Sequence, residues 1–472
     1  MEMELNALTA LSPVDGRYRR HIVDLVPHMS EYGLIRARLE VLIEYLITFS
    51  EHRDTPLRAF TPTEYKMLNE FKKVSVENAA IINKIETQGY KDIKATNHDV
   101  VAAIKYLRMV LQGTSLGDIV EWVHFGRTSE DVNNLAYALM LRRAASVLLA
   151  EVIAVRDALR SFALQYAALP MLGRTHGQPA TPTTLGKEFN VFAERLTKHI
   201  FKLRQFELLV KCNGASGNYS ADVKALPKVE WISFTYDFVL RLNKISAEER
   251  LLPFVVNEVT TQIEPHDTYA EFFGIFMRIN TILIGLSQDV WRYISDDWLM
   301  QKTVEGEVGS SAMPQKVNPI DDENAEGNLG LSNAMLEFFC RKLPISRLQR
   351  DLSDSTVERA FGMALGHSLI GYKALLKGLG KISADQAKII TELENRPEVL
   401  AEAIQTILRR EGVSGGYDLL KEETRGKPVS LASLHKRIDS LDIPEAVKEE
   451  LRALKPSNFT GLAVALAARF TD

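Results

Sequence analysis

Between Arg127 and Leu169 the chain reads RTSEDVNNLAYALMLRRAASVLLAEVIAVRDALRSFALQYAAL, with neither Gly nor Pro. Val132, Leu135, Leu139, Leu148, Val152, Val155, Leu159 and Phe162 fall on one helical face of this run. Thr128 and Ser129 are candidate N-caps with acids just behind them, and Pro170 ends the pattern. At 1.5 Å per residue, such a helix is roughly 60 Å long. Two further breaker-poor runs extend from Lys187 to Asn213 and from His266 to about Thr303, the latter holding only Gly274 and Gly285. Helices of this length form a coiled coil or the spine of a large bundle, and broad apolar faces without a strict heptad point to the bundle. The expected fold class is therefore mainly α.

Outward from the bundle, residues 1–117 mix shorter helical patterns with turn formers such as Ser12-Pro13-Val14-Asp15-Gly16, which suggests a small N-terminal domain. The long-helix region occupies 118–378, and 379–472 reads as a small helical C-terminal domain. There, Ser383 with Gln386 resembles a capping box, and Pro397 opens a stripe of Val399, Leu400, Ala403, Ile404, Ile407 and Leu408. Neither an internal repeat nor a hairpin series is expected.

The composition narrows the function classes. The chain has 472 residues, 46% hydrophobic and 25% charged, as in ordinary globular proteins and unlike disordered or fibrous ones. Cys212 and Cys340 cannot form a disulfide framework, and neither has the neighbours of a zinc site. The acidic start, Met1-Glu2-Met3-Glu4-Leu5, is unlike a signal peptide, so a cytoplasmic location is expected. The apolar stretch from Phe272 to Leu286 is interrupted by Arg278 and Asn280, so no membrane partner is expected. A formal charge of −4 leaves no cationic excess for a nucleic-acid backbone. Any anionic ligand must be held by a local cluster of Arg and Lys.

Such clusters sit beside the long helices. The richest is Gly306 to Pro319, whose Gly and Pro residues bend the backbone so that its N–H groups can face an anion, with Lys316 and Asn318 as added donors. Arg174 to Pro182 holds His176, suited to acid–base work. In Thr96-Asn97-His98-Asp99 the Asp either orients the imidazole or caps the next helix. His124 to Asp131 doubles as the start of the longest helix, where free N–H groups favour an anion. Thr260 to Asp267 and the run Arg347, Arg350, Asp351, Ser355, Thr356, Arg359 complete the set. The last is either a solvated face or an anion clamp. Gly378-Leu379-Gly380-Lys381 lacks the first Gly and the Ser or Thr of a phosphate loop, and no dinucleotide or zinc-protease motif occurs, so a reaction without cofactor or metal is expected.

Together these stretches carry a family resemblance. GSSAMPQKVNP at Gly309–Pro319 resembles the signature loop of the fumarase/aspartase superfamily. VDGRY at Val14–Tyr18, TNHD at Thr96–Asp99, HFGRTSED at His124–Asp131, RTHGQPATP at Arg174–Pro182, TTQIEPHD at Thr260–Asp267 and RDLSDSTVER at Arg350–Arg359 are similar to the adenylosuccinate lyase family in its longer bacterial form. The order fits along essentially the whole chain.

The resemblance implies a mainly α, three-domain subunit assembled as a homotetramer, with each active site shared between subunits. It implies β-elimination of fumarate from adenylosuccinate and from the succinylated carboxamide ribonucleotide SAICAR. By match to the family, Ser310 is the proton acceptor and His176 the general acid. Arg17, Tyr18, Ser355 and Arg359 match phosphate-holding positions, with Thr356 beside them. Asn97, His98, Asp99 and Gln262 match nucleotide or succinyl contacts, and His124 and Arg350 support the carboxylates or the acid. Thr128, Ser129, Ser311, Lys316, Val317, Asn318 and Asn324 complete the implied site. Gln315 departs from the pattern: close members often carry His there, and Gln is more like argininosuccinate lyase. Another fumarate-releasing lyase of that kind, or a non-catalytic scaffold with the same fold, are the alternatives.

Overall fold

The computed structural model describes residues 4–245, 251–303, 306, 311–416, 418, 420–421 and 429–471. It is mainly α, as expected. The decisive run forms a helix of 37 residues, Ser129–Gln165. Its first turn is closed by Asp131, whose Oδ2 accepts the Thr128 N–H at 2.8 Å, so Thr128 is held by its backbone and an acid does the capping. The helix stops short of Leu169, and Pro170–Thr175 continues as a strand.

The other two runs are also shorter as helices than they read. Leu185–Arg204 and Asp267–Ser295 are helical, and each is followed by a three-residue strand, Leu208–Val210 and Leu299–Gln301. The first pairs in parallel with Phe254–Val256, the second antiparallel with Ile382–Ala384. A short aliphatic strand and the last turn of an apolar helix look alike without a Gly or Pro between them. The same strand corrects the capping box read at Ser383 and Gln386. Ser383 is extended, and Asp385 caps the next helix by accepting the Lys388 N–H at 2.9 Å.

An unexpected hairpin pairs Pro170–Thr175 with Gln178–Thr184 antiparallel. Its prolines are compatible with strands because this two-stranded ribbon consists of edges, where Pro is tolerated. At Gly173 a Cβ would lie 2.2 Å from the Thr181 carbonyl oxygen, so the close approach demands glycine.

Packing divides the chain into two compact units. The first comprises Met1–Glu151, His199–Thr281 and Gly327–Lys373, and the second Val152–Lys198, Ile282–Glu326 and Ala374–Asp472. In the first, Tyr45, Phe49, Trp231, Phe234 and Phe238 are buried against one another. Aromatic rings of this size remove about 150–250 Å² each from water. In the second, Leu400, Ile404, Leu408, Leu434, Ile438, Val447 and Leu451 form a separate small core, matching the stripe read after Pro397.

By length and composition alone, the Asp267–Ser295 helix holds a window apolar enough to cross a membrane, despite Arg278 and Asn280. Half of that window is nevertheless buried in protein. Its buried Asn280 donates to Ser332 Oγ at 3.2 Å and Ser368 Oγ at 2.9 Å, and accepts from the Tyr372 hydroxyl at 2.6 Å. A satisfied polar network of this kind belongs to a packed core.

Candidate active site

The start of the Ser129–Gln165 helix gathers residues from distant parts of the first unit. Ser129 Oγ lies 3.2 Å from His98 Nε2, and His98 Nδ1 lies 3.4 Å from Asp99 Oδ1. Asp99 takes the first of the two roles read for it and not the second, since His98 stands at the N-cap of the next helix and Asp99 is its first residue. It faces the imidazole and opens the Asp99–Gln112 helix, where its Oδ1 accepts the Val100 N–H at 2.8 Å. Its Oδ2 takes two guanidinium groups, Arg38 at 2.6 Å and Arg359 at 2.8 Å. Burial alone would raise the Asp99 pKa, but the two arginines and the backbone donor hold it below the ordinary carboxylate value.

Arg359 also pairs with Glu31 at 2.6 Å. With Thr356, Ser12, Asp15, Arg19 and Glu31 it lines a cleft of about 540 Å³, a volume suited to a small molecule. Arg17 is exposed and Tyr18 half-buried on the segment that supplies Ser12, Asp15 and Arg19. Ser355 is half-buried, its N–H bonded to Asp354 Oδ1 at 2.6 Å. The arginine-dense run is therefore no uniformly solvated face: Arg359 opens to the cleft, while Arg350 turns inward to Glu130 at 2.9 Å.

Glu130 belongs to a buried ionisable group. Burial, then Glu358, raises its pKa to about 7, with Arg350 opposing. The His266 side chain, fully buried, lies 3.5 Å from Glu358, and the His266 backbone N–H donates to Glu264 Oε2 at 2.8 Å. Burial would lower its pKa, but Glu358, Glu264 and Glu130 together raise it to about 9, so it is a cation at neutral pH. His124 is the opposite case. Burial lowers its pKa to about 4, so it is neutral near pH 7 and can offer a ligand a hydrogen bond but no charge. Its buried Nδ1 has no hydrogen-bond partner among the described residues. Asn97 and His124 both adopt left-handed backbone, φ 48° and 67°, a conformation often kept at functional loops.

His176 and the signature loop lie in the second unit. His176 occupies the hairpin turn with φ 52°, exposed to solvent. Arg174 braces that turn, donating to the Gly177 carbonyl at 3.3 Å and pairing with Glu392, which also accepts the Trp298 indole N–H at 2.6 Å. Ser310 lies outside the described residues. Ser311 and Lys316 are exposed, the Val317 carbonyl accepts Gln301 Nε2 at 3.1 Å, and Asn318 and Asn324 are half-buried. The loop leads into the Ile320–Lys342 helix, whose Asp321 is fixed by Lys381 at 2.7 Å and Lys377 at 3.1 Å.

The first unit thus brings together Asn97, His98, Asp99, Ser129, Thr356 and Arg359, with Arg350 tied in through Glu130. Gln262 is placed by its neighbours, its side chain donating to the Ala215 carbonyl at 3.1 Å. Among the described residues no three His, Cys, Asp or Glu side chains gather as a metal-holding group. Sequence reasoning missed Arg38, Glu130 and Asp131 as organisers of the site. A signal for Arg38 was present: in the Glu31–Glu51 helix it stands among Leu34, Ile35, Leu39, Val41 and Leu42, where a charge needs a buried partner.

Residues 53–335 match the family described as lyase, and residues 346–460 the family described as adenylosuccinate lyase C-terminal. The chain is 44% identical to adenylosuccinate lyase of Escherichia coli (strain K12), over 98% of this chain and 99% of that one. It is 42% identical to adenylosuccinate lyase of Haemophilus influenzae, over 99% and 100%. Among solved structures, a fumarate lyase from Mesorhizobium sp. BNC1 superposes with a TM-score of 0.68 at 16% identity, covering 94% of this chain and 96% of that one. The 3-carboxy-cis,cis-muconate lactonizing enzyme from Pseudomonas putida does so with a TM-score of 0.68 at 20% identity, covering 96% of each. Those two establish the fold, and with the full-length relatives and the two family matches the conclusion is that this chain belongs to the adenylosuccinate lyase family of carbon–nitrogen lyases.

Proposed function

We propose that the chain releases fumarate from adenylosuccinate to leave AMP, and from SAICAR to leave the carboxamide ribonucleotide AICAR, in purine nucleotide synthesis. The observation that carries this reading is full-length identity of 44% to a curated adenylosuccinate lyase. The cleft beside Arg359 and Thr356 supports it, since a guanidinium at such a cleft recognises phosphate with charge-assisted hydrogen bonds.

In this reading Ser310 removes the proton from the carbon next to a carboxylate, and the electron pair is held on that carboxylate as a doubly negative intermediate. Lys316, Asn318 and the loop N–H groups stabilise it, each donor contributing about 2.7–4 kcal/mol in comparable anion holes. The carbon–nitrogen bond then breaks, the carbon–carbon double bond of fumarate forms, and His176 protonates the departing nitrogen. Arg17, Tyr18, Ser355, Thr356 and Arg359 hold the phosphate, while Asn97, His98, Asp99, Thr128, Ser129 and Gln262 contact the nucleotide and succinyl groups. Neutral His124 donates one hydrogen bond and Arg350 supplies positive charge nearby.

The three-domain division at about residues 117 and 378, a cytoplasmic homotetramer and sites shared between subunits are part of the proposal. Exposed apolar side chains on the long helices, among them Trp291, Leu331 and Phe338, support self-association. Purified protein given adenylosuccinate should release fumarate and AMP in equal amounts, and argininosuccinate should not react. No turnover of adenylosuccinate by a verified tetramer would overturn the reading, and turnover of argininosuccinate alone would replace it.

A further inference from the structure

Lys211 is wholly buried, and all three of its ammonium donors are used. They go to Asp131 Oδ1 at 2.9 Å, the Gly214 carbonyl at 3.0 Å and the Gln262 carbonyl at 2.8 Å. These acceptors sit on three segments far apart in sequence. Asp131 is in the first turn of the long helix, where it also accepts the N–H groups of Thr128 at 2.8 Å, Asn213 at 3.0 Å and Gly214 at 3.2 Å. The 213–219 turn touches the Gln262 segment again: Asn213 Nδ2 donates to Thr260 Oγ1 at 2.9 Å, and Gln262 Nε2 to the Ala215 carbonyl at 3.1 Å. At Gly217, φ 73°, a Cβ would stand 2.3 Å from the Thr260 carbonyl, so the two segments are packed backbone to backbone.

Burying an ammonium costs several kcal/mol, and an apolar side chain of the same length would fill the space without that cost. What it would not do is fix three loops in one register. Burial would raise the Asp131 pKa, but Lys211 and Arg127 more than offset it and hold the carboxyl below the ordinary carboxylate value. The main-chain conformation at Gln262 and the start of the long helix at Thr128 and Ser129 are thereby locked to one point.

We infer that Lys211 is a positioning residue for substrate binding, its ammonium setting the place of the Gln262 side chain and of Thr128 and Ser129. The inference rests on the proposed reading that these three residues contact adenylosuccinate. Lys211 itself touches no reacting atom, and it acts through the segments it holds.

The test is a double-mutant cycle on the full-length protein with adenylosuccinate as probe. Lys211→Met should raise KM about 10- to 100-fold with kcat changed only a few-fold, the mark of lost uniform binding. Gln262→Ala should act similarly, and the double variant should be little worse than either single one, because both changes remove the same interaction. Multiplying effects, or an unchanged KM in folded Lys211→Met, would overturn the inference. Where Lys211→Met does not fold, Lys211→Met with Asp131→Asn removes both charges together and should show the same rise in KM; an unchanged KM there counts against the inference equally. Hydrogen exchange provides a readout without turnover: amides of residues 260–263 should exchange faster in the variant while those of the 400–451 core do not change. If the wild-type protein fails to release fumarate, the functional reading falls, and the exchange result still decides whether Lys211 holds the Gln262 segment.

Discussion

Around the start of the Ser129–Gln165 helix, charged side chains are buried and tied to one another: Arg38 to Asp99, Lys211 to Asp131, Arg127 to Asp222 and Arg350 to Glu130. On the hairpin that carries His176, the turn is exposed and one pair, Arg174 with Glu392, braces it. The first region spends desolvation on fixed geometry, which suits the substrate-binding role proposed for it, since binding groups that are already oriented lose less freedom on contact. The second leaves its imidazole in solvent, which is compatible with the proton-transfer role proposed for His176.

The largest expected effect breaks the comparison on the exposed side. His176→Ala should reduce turnover of adenylosuccinate about 10²- to 10⁴-fold, the usual contribution of a general acid, with the circular-dichroism spectrum and melting temperature unchanged. Retained turnover would take His176 out of the role. On the buried side stability should suffer first. Arg127→Met leaves Asp222 and Asp131 without their guanidinium and should cost about 3–5 kcal/mol in urea unfolding. A loss under one kcal/mol would mean that the network is not what orders this region. Between these extremes, Arg359→Ala should raise KM about 10- to 100-fold while kcat moves less, as for a lost charge-assisted contact to phosphate. Equal falls in kcat and kcat/KM would shift its role to the transition state.

The pH dependence sharpens the same contrast. His266 binds its proton more tightly folded, with a pKa of about 9, than unfolded, where about 6.5 is ordinary. Its contribution to stability is therefore complete below pH 6.5 and lost as the pH rises through about 9. His266→Asn suits the φ of 65° and should flatten the fall in melting temperature across that window. An unaltered slope would remove His266 as its source. The smallest effect is expected at Arg410 and Glu450, an exposed pair at 2.6 Å on the C-terminal helices. Glu450→Gln should leave the melting temperature where it is, since such pairs are screened by solvent and salt.

Much of the architecture was legible from local pattern. The start of the long helix came within two residues, because an acid-rich first turn followed by an apolar face is a short-range signal. The hairpin was not legible, because Pro179 and Pro182 argue against a strand until its partner is known to lie on one side only. Nor was the end of the other two long helices, where neither Gly nor Pro separates the helix from the short strand that follows. Within the site, the sequence marked the polar loops, but it did not separate Arg359, which faces the cleft, from Arg350, which faces Glu130.

By itself, then, the sequence determined the mainly helical class, the polar loops and the family they resemble, since periodicity and motif order are properties of neighbouring residues. The tertiary structure alone decided which charges are buried and with whom. Arg38 meets Asp99 across 61 positions, and Lys211 meets Asp131 only because two loops and a helix start converge. The energy of a charge depends on what packs around it from elsewhere in the chain, and no local pattern contains that information.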